Sequence, residues 1–229
     1  MNLPDKNDFI NIHDHGAVPQ SGFFTVDNIM VHEGREPQRS EGVAYSVGAH
    51  PWHIDEDNID RLFFRVKDFS KHHNVIAIGE AGFDKLKGPS LDLQRESFQN
   101  HARLAESTQK PLFIHCVKAW DELLKEHKQM KPSVTWIIHG FRGKTDLAAR
   151  LLDKGFYLSP WVEWAIRPES TDTLKSIPLS RLFLETDGFD ISIEPVYQVV
   201  AEHLGVDADQ LKKSFRQNYM EVFNRSGAS

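Results

Sequence analysis

Short apolar runs recur along the chain, and most of them close on a histidine or a carboxylate. FINIH (9–13), VAYSVG (43–48), VIAIGE (75–80), PLFIH (111–115), VTWIIH (134–139), FYLS (156–159) and LFLETD (182–187) form a series of seven. Near-continuous apolar runs of this length are what parallel strands covered on both faces require. GFFTVDNIMV (22–31) is the remaining strand candidate.

Between the later runs the period lengthens to that of a helix. Gln94, Phe98, His101, Ala102 and Ala105 keep 3.6-residue spacing, and Pro111 follows them. Thr145 is placed to cap a helix carrying Leu147, Ala148, Leu151 and Leu152, with Gly155 past its end. Pro195 suits the first turn of a helix bearing Val196, Val199, Val200 and Leu204. Asp207 with Gln210 has the form of a capping box for a last helix with Leu211, Phe215 and Val222.

This alternation predicts an α/β fold, of the TIM (β/α)8 type if 22–31 supplies the eighth strand. That barrel is expected to be distorted, with one or two early helices missing. Residues 16–22 are too few for a helix, and HEGREPQRSEG (32–42) has no apolar stripe. Phe23, Phe24, Ile29 and Met30, or a second subunit, are expected to cover the gap. With no repeat, low-complexity tract or linker, 1–229 reads as a single domain.

Composition narrows the setting. The 229 residues hold one cysteine, Cys116, so neither an internal disulfide nor a cysteine-rich zinc cage is available. No leader or membrane span is legible, and a cytoplasmic location is expected. A net charge of −6 is a poor field for nucleic acid unless bound cations offset it locally.

Candidate chemistry lies at the strand ends. His13 and His15, two apart on an extended strand, project to one face. Further runs end at His50 and His53, Glu80, His115, His139 and Asp187. In a barrel these ends meet on one face, where barrel enzymes keep their sites, and the set reads as a metal site. His50 is read as a substrate contact or a support to the ligands, while Trp52 and His53 read as lip residues. Alternation turns Cys116 into the core and turns Asp14 away from its flanking histidines. Lys118, Arg142 and Lys144, just past strand ends, read as loop charges within reach of a phosphate. Trp161 and Trp164 could stack on a base, and Glu163 with Trp164 could plug the mouth of the site.

The motifs NIHDHG, GAHPWH, AIGEAGFD, KPLFIHCVKAWDELL, IIHGFRG and LFLETDGF, with SFRQNYMEVF near the end, resemble the TatD family of metal-dependent hydrolases and deoxyribonucleases, which are amidohydrolase-like barrels. The resemblance implies two divalent ions (zinc, manganese, magnesium, nickel or iron), with Glu80 bridging. His13, His15, Glu80 and Asp187 would hold one ion, and Glu80, His115 and His139 the other. It implies hydrolysis of a phosphodiester such as DNA, with Asp187 and Glu80 catalytic and Asp187 accepting the proton of the attacking water. Three departures bear on substrate. Residues 16–43 are compressed, Val117 and Lys118 replace an Arg-Asp pair, and ISIEPVYQ lacks an Asn-x-Pro. An amidohydrolase-like enzyme acting on a small lactone, amide or phosphate ester is the alternative, and a metal-binding barrel without turnover is a third reading.

Overall fold

The computed structural model describes residues 3–224. In chain order the elements are β1 (Phe9–Asp14), β2 (Phe23–Met30), β3 (Val43–Gly48), α1 (Ile59–Phe69), β4 (Val75–Asp84), α2 (Leu91–Thr108), β5 (Leu112–Val117), α3 (Trp120–Met130), β6 (Trp136–Phe141), α4 (Thr145–Leu152), β7 (Tyr157–Pro160), α5 (Val162–Ala165), α6 (Thr171–Ser176), α7 (Ile193–Leu204) and α8 (Ala208–Phe223). The strands are hydrogen-bonded in chain order, β1 to β7. No helix separates β1, β2 and β3 among the described residues, so the two early helices are missing as the sequence predicts. The fold class is that of TIM-type α/β barrels. None of the described helices is long and apolar enough to cross a membrane.

The chain divides into two compact units. One takes the chain up to Asp27, Ser40–Ala44 and everything from Ile137 onward; the other takes Asn28–Arg39 and Tyr45–Trp136.

In the first unit β1 pairs in parallel with β2, Asn11 opposite Thr25, and β6 pairs with β7. Residues 182–187, expected as a strand, are extended but make only one isolated bridge, Leu158 to Leu182. Their backbone is hydrogen-bonded on both sides: Phe183 N donates to Leu158 O at 3.0 Å, and Ile12 N donates to Leu184 O at 3.0 Å. The ladder breaks because Thr186 N donates to the Asn11 side chain at 3.0 Å instead of to a strand carbonyl. Asp187 then turns to φ 53°. Tyr197, on α7, locks β1 from outside: its hydroxyl donates to Ile10 O at 2.9 Å and accepts from Ile10 N at 3.0 Å.

Cover for β2 comes from the chain itself. Phe24 is fully buried with its ring edge-on to Tyr219 of α8 at 5.0 Å, and Phe23 stacks on Phe9 at 5.6 Å. Burying a ring of this size contributes about 2–3 kcal/mol, which offsets part of what the missing helices would have supplied. Asp207 caps α8 by accepting from Gln210 N at 2.7 Å, as expected. Thr145 is not a cap: α4 begins on it, Lys144 is the capping position, and no side chain bonds there.

In the second unit β3, β4 and β5 pair in parallel. All ten residues of β4 are buried. Gly82 stands opposite His115, and a Cβ there would collide with the His115 carbonyl. The buried face of α2 includes Gln94, Phe98, His101, Ala102 and Ala105, the predicted stripe, and Ser90 caps it by accepting from Leu93 N. His101, wholly buried, accepts from Ala49 N at 3.0 Å through Nε2 and donates from Nδ1 to Ser97 O at 2.7 Å. Burial pushes its pKa down to about 4. Cys116 lies in the core, where burial pushes its thiol up.

Candidate metal centre

Each unit carries its own cluster of side chains able to hold a metal ion. In the first unit, His13 and His15 from the end of β1 turn Nε2 toward Asp187 Oδ1, at 3.6 and 3.5 Å. His139, from β6, lies 4.0 Å from the same oxygen and stacks on His13 with centroids 4.2 Å apart. Asp187 is positioned by its own N–H, which donates to His13 O at 3.1 Å. Asp14 Oδ1 accepts from His15 N and from Gly188 N, both at 2.9 Å, and so ties the loop after Asp187 to β1.

Glu185 escaped the sequence reading. It is fully buried, accepts from Gly140 N at 2.6 Å and lies 3.7 Å from His139 Nδ1. Burial pushes its carboxyl up to about 7, against the pull of His139. Its signal was present, since the E-T-D order sets Glu185 and Asp187 two apart on one face of an extended segment.

In the second unit Glu80 Oε1 lies 2.9 Å from His115 Nδ1 and 3.1 Å from His50 Nε2. Asn28 flanks it: Glu80 N donates to Asn28 Oδ1 at 3.1 Å, and Asn28 Nδ2 donates to Glu80 Oε2 at 3.3 Å. The other nitrogen of His115 faces Asp84 Oδ2 at 3.2 Å, and Trp52 Nε1 donates to that same oxygen at 2.7 Å. Burial raises the Asp84 pKa, but hydrogen bonds from Trp52, the Leu86 backbone and His115 outweigh it and hold the group below its usual value. Ionised, Asp84 is acceptor-only and can take a hydrogen bond from His115 Nε2, as Glu80 Oε1 can from Nδ1. Asp84 also sits at i+4 from Glu80 on one strand, a spacing the sequence showed.

These distances fit metal ions. Around one ion with bonds of about 2.0–2.2 Å, ligand atoms stand about 3.0–3.5 Å apart. The Asp187 contacts to His13 and His15 are too long for hydrogen bonds and suit such edges. His115 Nδ1 lies 2.9 Å from Glu80 Oε1 and 3.4 Å from His50 Nε2. His13, His15 and Asp187 bring their ligand atoms within 4.8 Å of one another, as do His139, Glu185 and Asp187, and His50, Glu80 and His115.

The profile of the TatD related DNase family matches residues 30–224. The chain belongs to this family. It is a TatD-family metal-dependent hydrolase. It is 28% identical over 204 residues to an uncharacterized metal-dependent hydrolase of Buchnera aphidicola, covering 80% of this chain and 77% of that one. The crystal structure of YJJV, a TatD homologue of Escherichia coli, matches with a TM-score of 0.77 at 20% identity, covering 96% and 99% of the two chains. A TatD family hydrolase structure from Entamoeba histolytica matches with a TM-score of 0.74 at 16% identity, covering 97% and 99%.

Of the other candidates of this TatD chain, Trp52 and His53 border the second cluster, with ring centroids 4.7 and 5.9 Å from that of His50. His53 stacks on His32, with centroids 3.8 Å apart, and burial lowers the pKa of both. Trp52 is more than a lip residue, since it hydrogen-bonds Asp84 while Lys87 lies 3.6 Å over its ring. Arg142 packs over Trp161 at 4.7 Å, and Trp161 meets Phe189 at 6.0 Å. Trp164 packs edge-on against Phe141 at 6.2 Å. Lys118 is exposed just past β5.

Proposed function

We propose that the chain, acting as a single domain, hydrolyses phosphodiesters, DNA among them, with two divalent ions. His13, His15, Glu80 and Asp187 hold one ion; Glu80, His115 and His139 hold the other. The observation that carries this reading is the spacing of His13, His15 and Asp187, wider than hydrogen bonds and right for ligands on one ion. Family membership and the resemblance of the motifs support the rest. Histidine with carboxylate suits zinc, manganese, nickel or iron, and carboxylate with water keeps magnesium open.

When bound, the ions supply positive charge against an anionic transition state and make a water acidic near neutrality. The Asp187 carboxylate would accept a proton from an attacking water, its side chain being 23% accessible where His13 is sealed. Asp84, 3.2 Å from His115 Nε2, fixes the orientation of that ring in the manner of carboxylates behind metal-bound histidines. Glu80 is oriented by Asn28 and His50.

Metal-reconstituted protein should be offered single-stranded DNA, duplex DNA, a simple phosphodiester, a lactone and an amide. Metal-dependent cleavage of the phosphodiesters is expected. Turnover of the lactone or amide alone would replace this reading with the amidohydrolase-like one, to which the compressed segment 16–43 gives support.

A further inference from the structure

His50, Glu80 and His115 present three ligand atoms within 4.8 Å, which by spacing alone is a metal site. Hydrogen bonding sets His50 apart from the other two. The backbone N–H of Trp52 donates to His50 Nδ1 at 3.1 Å. A nitrogen that accepts carries no proton, and a neutral imidazole then bears its proton on the other nitrogen. His50 Nε2 is therefore an N–H donor, and it points at Glu80 Oε1 from 3.1 Å. A protonated nitrogen has no lone pair for a metal.

The loop holds this arrangement on both sides of His50. Ala49 N donates to His101 Nε2 at 3.0 Å, and His53 N donates to His50 O at 3.0 Å. The ring is 5% accessible. His115 differs in facing a carboxylate with each nitrogen, Nε2 toward Asp84 at 3.2 Å and Nδ1 toward Glu80 at 2.9 Å.

We infer that His50 is a positioning residue for Glu80, a hydrogen-bond donor fixed in the Nε2–H tautomer by the Trp52 backbone, and not a metal ligand. With Asn28 on Oε2 and His50 on Oε1, both oxygens of Glu80 are held, and the carboxylate is fixed in one orientation. This assignment rests on the metal-dependent reading above and adds to it the role of one residue.

The test uses the full chain labelled with 15N-histidine, titrated with zinc and compared with His50→Gln for assignment. His50 Nε2 should keep its directly bonded proton before and after zinc; loss of that proton on zinc binding would overturn the inference. Zinc stoichiometry by equilibrium dialysis should be the same in His50→Gln, His50→Ala and the wild type. A missing equivalent in either variant would make His50 a ligand. On the best phosphodiester, kcat should fall about 10–100-fold in His50→Ala with KM nearly unchanged. His50→Gln, which keeps an N–H near the Nε2 position, should recover part of the loss. Two fully active variants would remove the positioning role. A wild type inactive on every phosphodiester would refute the substrate reading, while the proton and stoichiometry measurements still judge His50.

Discussion

Asn28 and Glu80 grip each other by two hydrogen bonds, backbone N–H to side-chain oxygen in one direction and side-chain amide to carboxylate in the other. Ser46 Oγ donates to the same Asn28 oxygen at 3.0 Å. Asn28→Ala strands the buried Glu80 N–H and Ser46 hydroxyl and frees one carboxylate oxygen. The expected cost is about 2–3 kcal/mol, with metal affinity down about 10–100-fold. Thermal melts with and without chelator, and a competitive metal titration, check both; unchanged affinity would show that Asn28 serves packing alone.

Asp187→Asn should abolish hydrolysis and spare the fold. The residue sits at φ 53°, a conformation asparagine tolerates as readily as aspartate. The substitution keeps size while removing the charge and the proton acceptor. Turnover at matched metal content is the measurement, and near wild-type rates would take Asp187 out of the mechanism.

Gly82→Ala should destabilise by about 3 kcal/mol or more. The new methyl group meets the His115 carbonyl across the β4–β5 pair, on backbone that cannot step aside. Denaturant midpoints report the loss, and a midpoint within experimental error of wild type would refute the close approach.

His101 makes stability fall on the acid side. Its folded pKa, about 4, lies below the unfolded value near 6.5. The unfolded chain therefore binds the extra proton, so the contribution is complete above pH 6.5 and is lost as pH falls toward 4. The reason is local: protonated Nε2 would face the Ala49 N–H it now accepts from. The amount is about 3 kcal/mol. Other histidines titrate in the same range, so the wild-type curve is compared with His101→Gln, which should be flatter between pH 6.5 and 4.

The sequence showed the candidate site because a histidine or carboxylate interrupts an apolar run, and His13, His15, Glu80, His115, His139 and Asp187 all do so. It showed α2, α7 and α8 through unbroken spacing. It did not single out α1, whose stripe of Ile59, Leu62 and Val66 is interrupted by Phe63 and Phe64, the latter exposed. Nor did it single out α3, whose buried residues are Leu123 and the charged Glu126. Asp84 and Glu185 were readable by alternation from Glu80 and Asp187. Asn28 was not, because a neutral amide inside an apolar strand gains meaning only from a partner 52 positions away. The hydrogen bond from Trp52 N to His50 depends on a turn that side-chain patterns do not encode.

The hold of Tyr197 on Ile10, and of Asp187 on His13, also has a meaning in time. A ribosome adding about 5–20 residues per second delivers Tyr197 roughly 10–40 s after Ile10. For that interval one edge of the first strand has no partner, and His13 and His15 wait for the aspartate that joins them. A nascent chain that captured a metal on this histidine pair would hold it without Asp187. A stalled chain would carry an open strand edge, an invitation to pair with another copy. The free edge of β1 is thus covered, and the first cluster completed, only by residues made long after it.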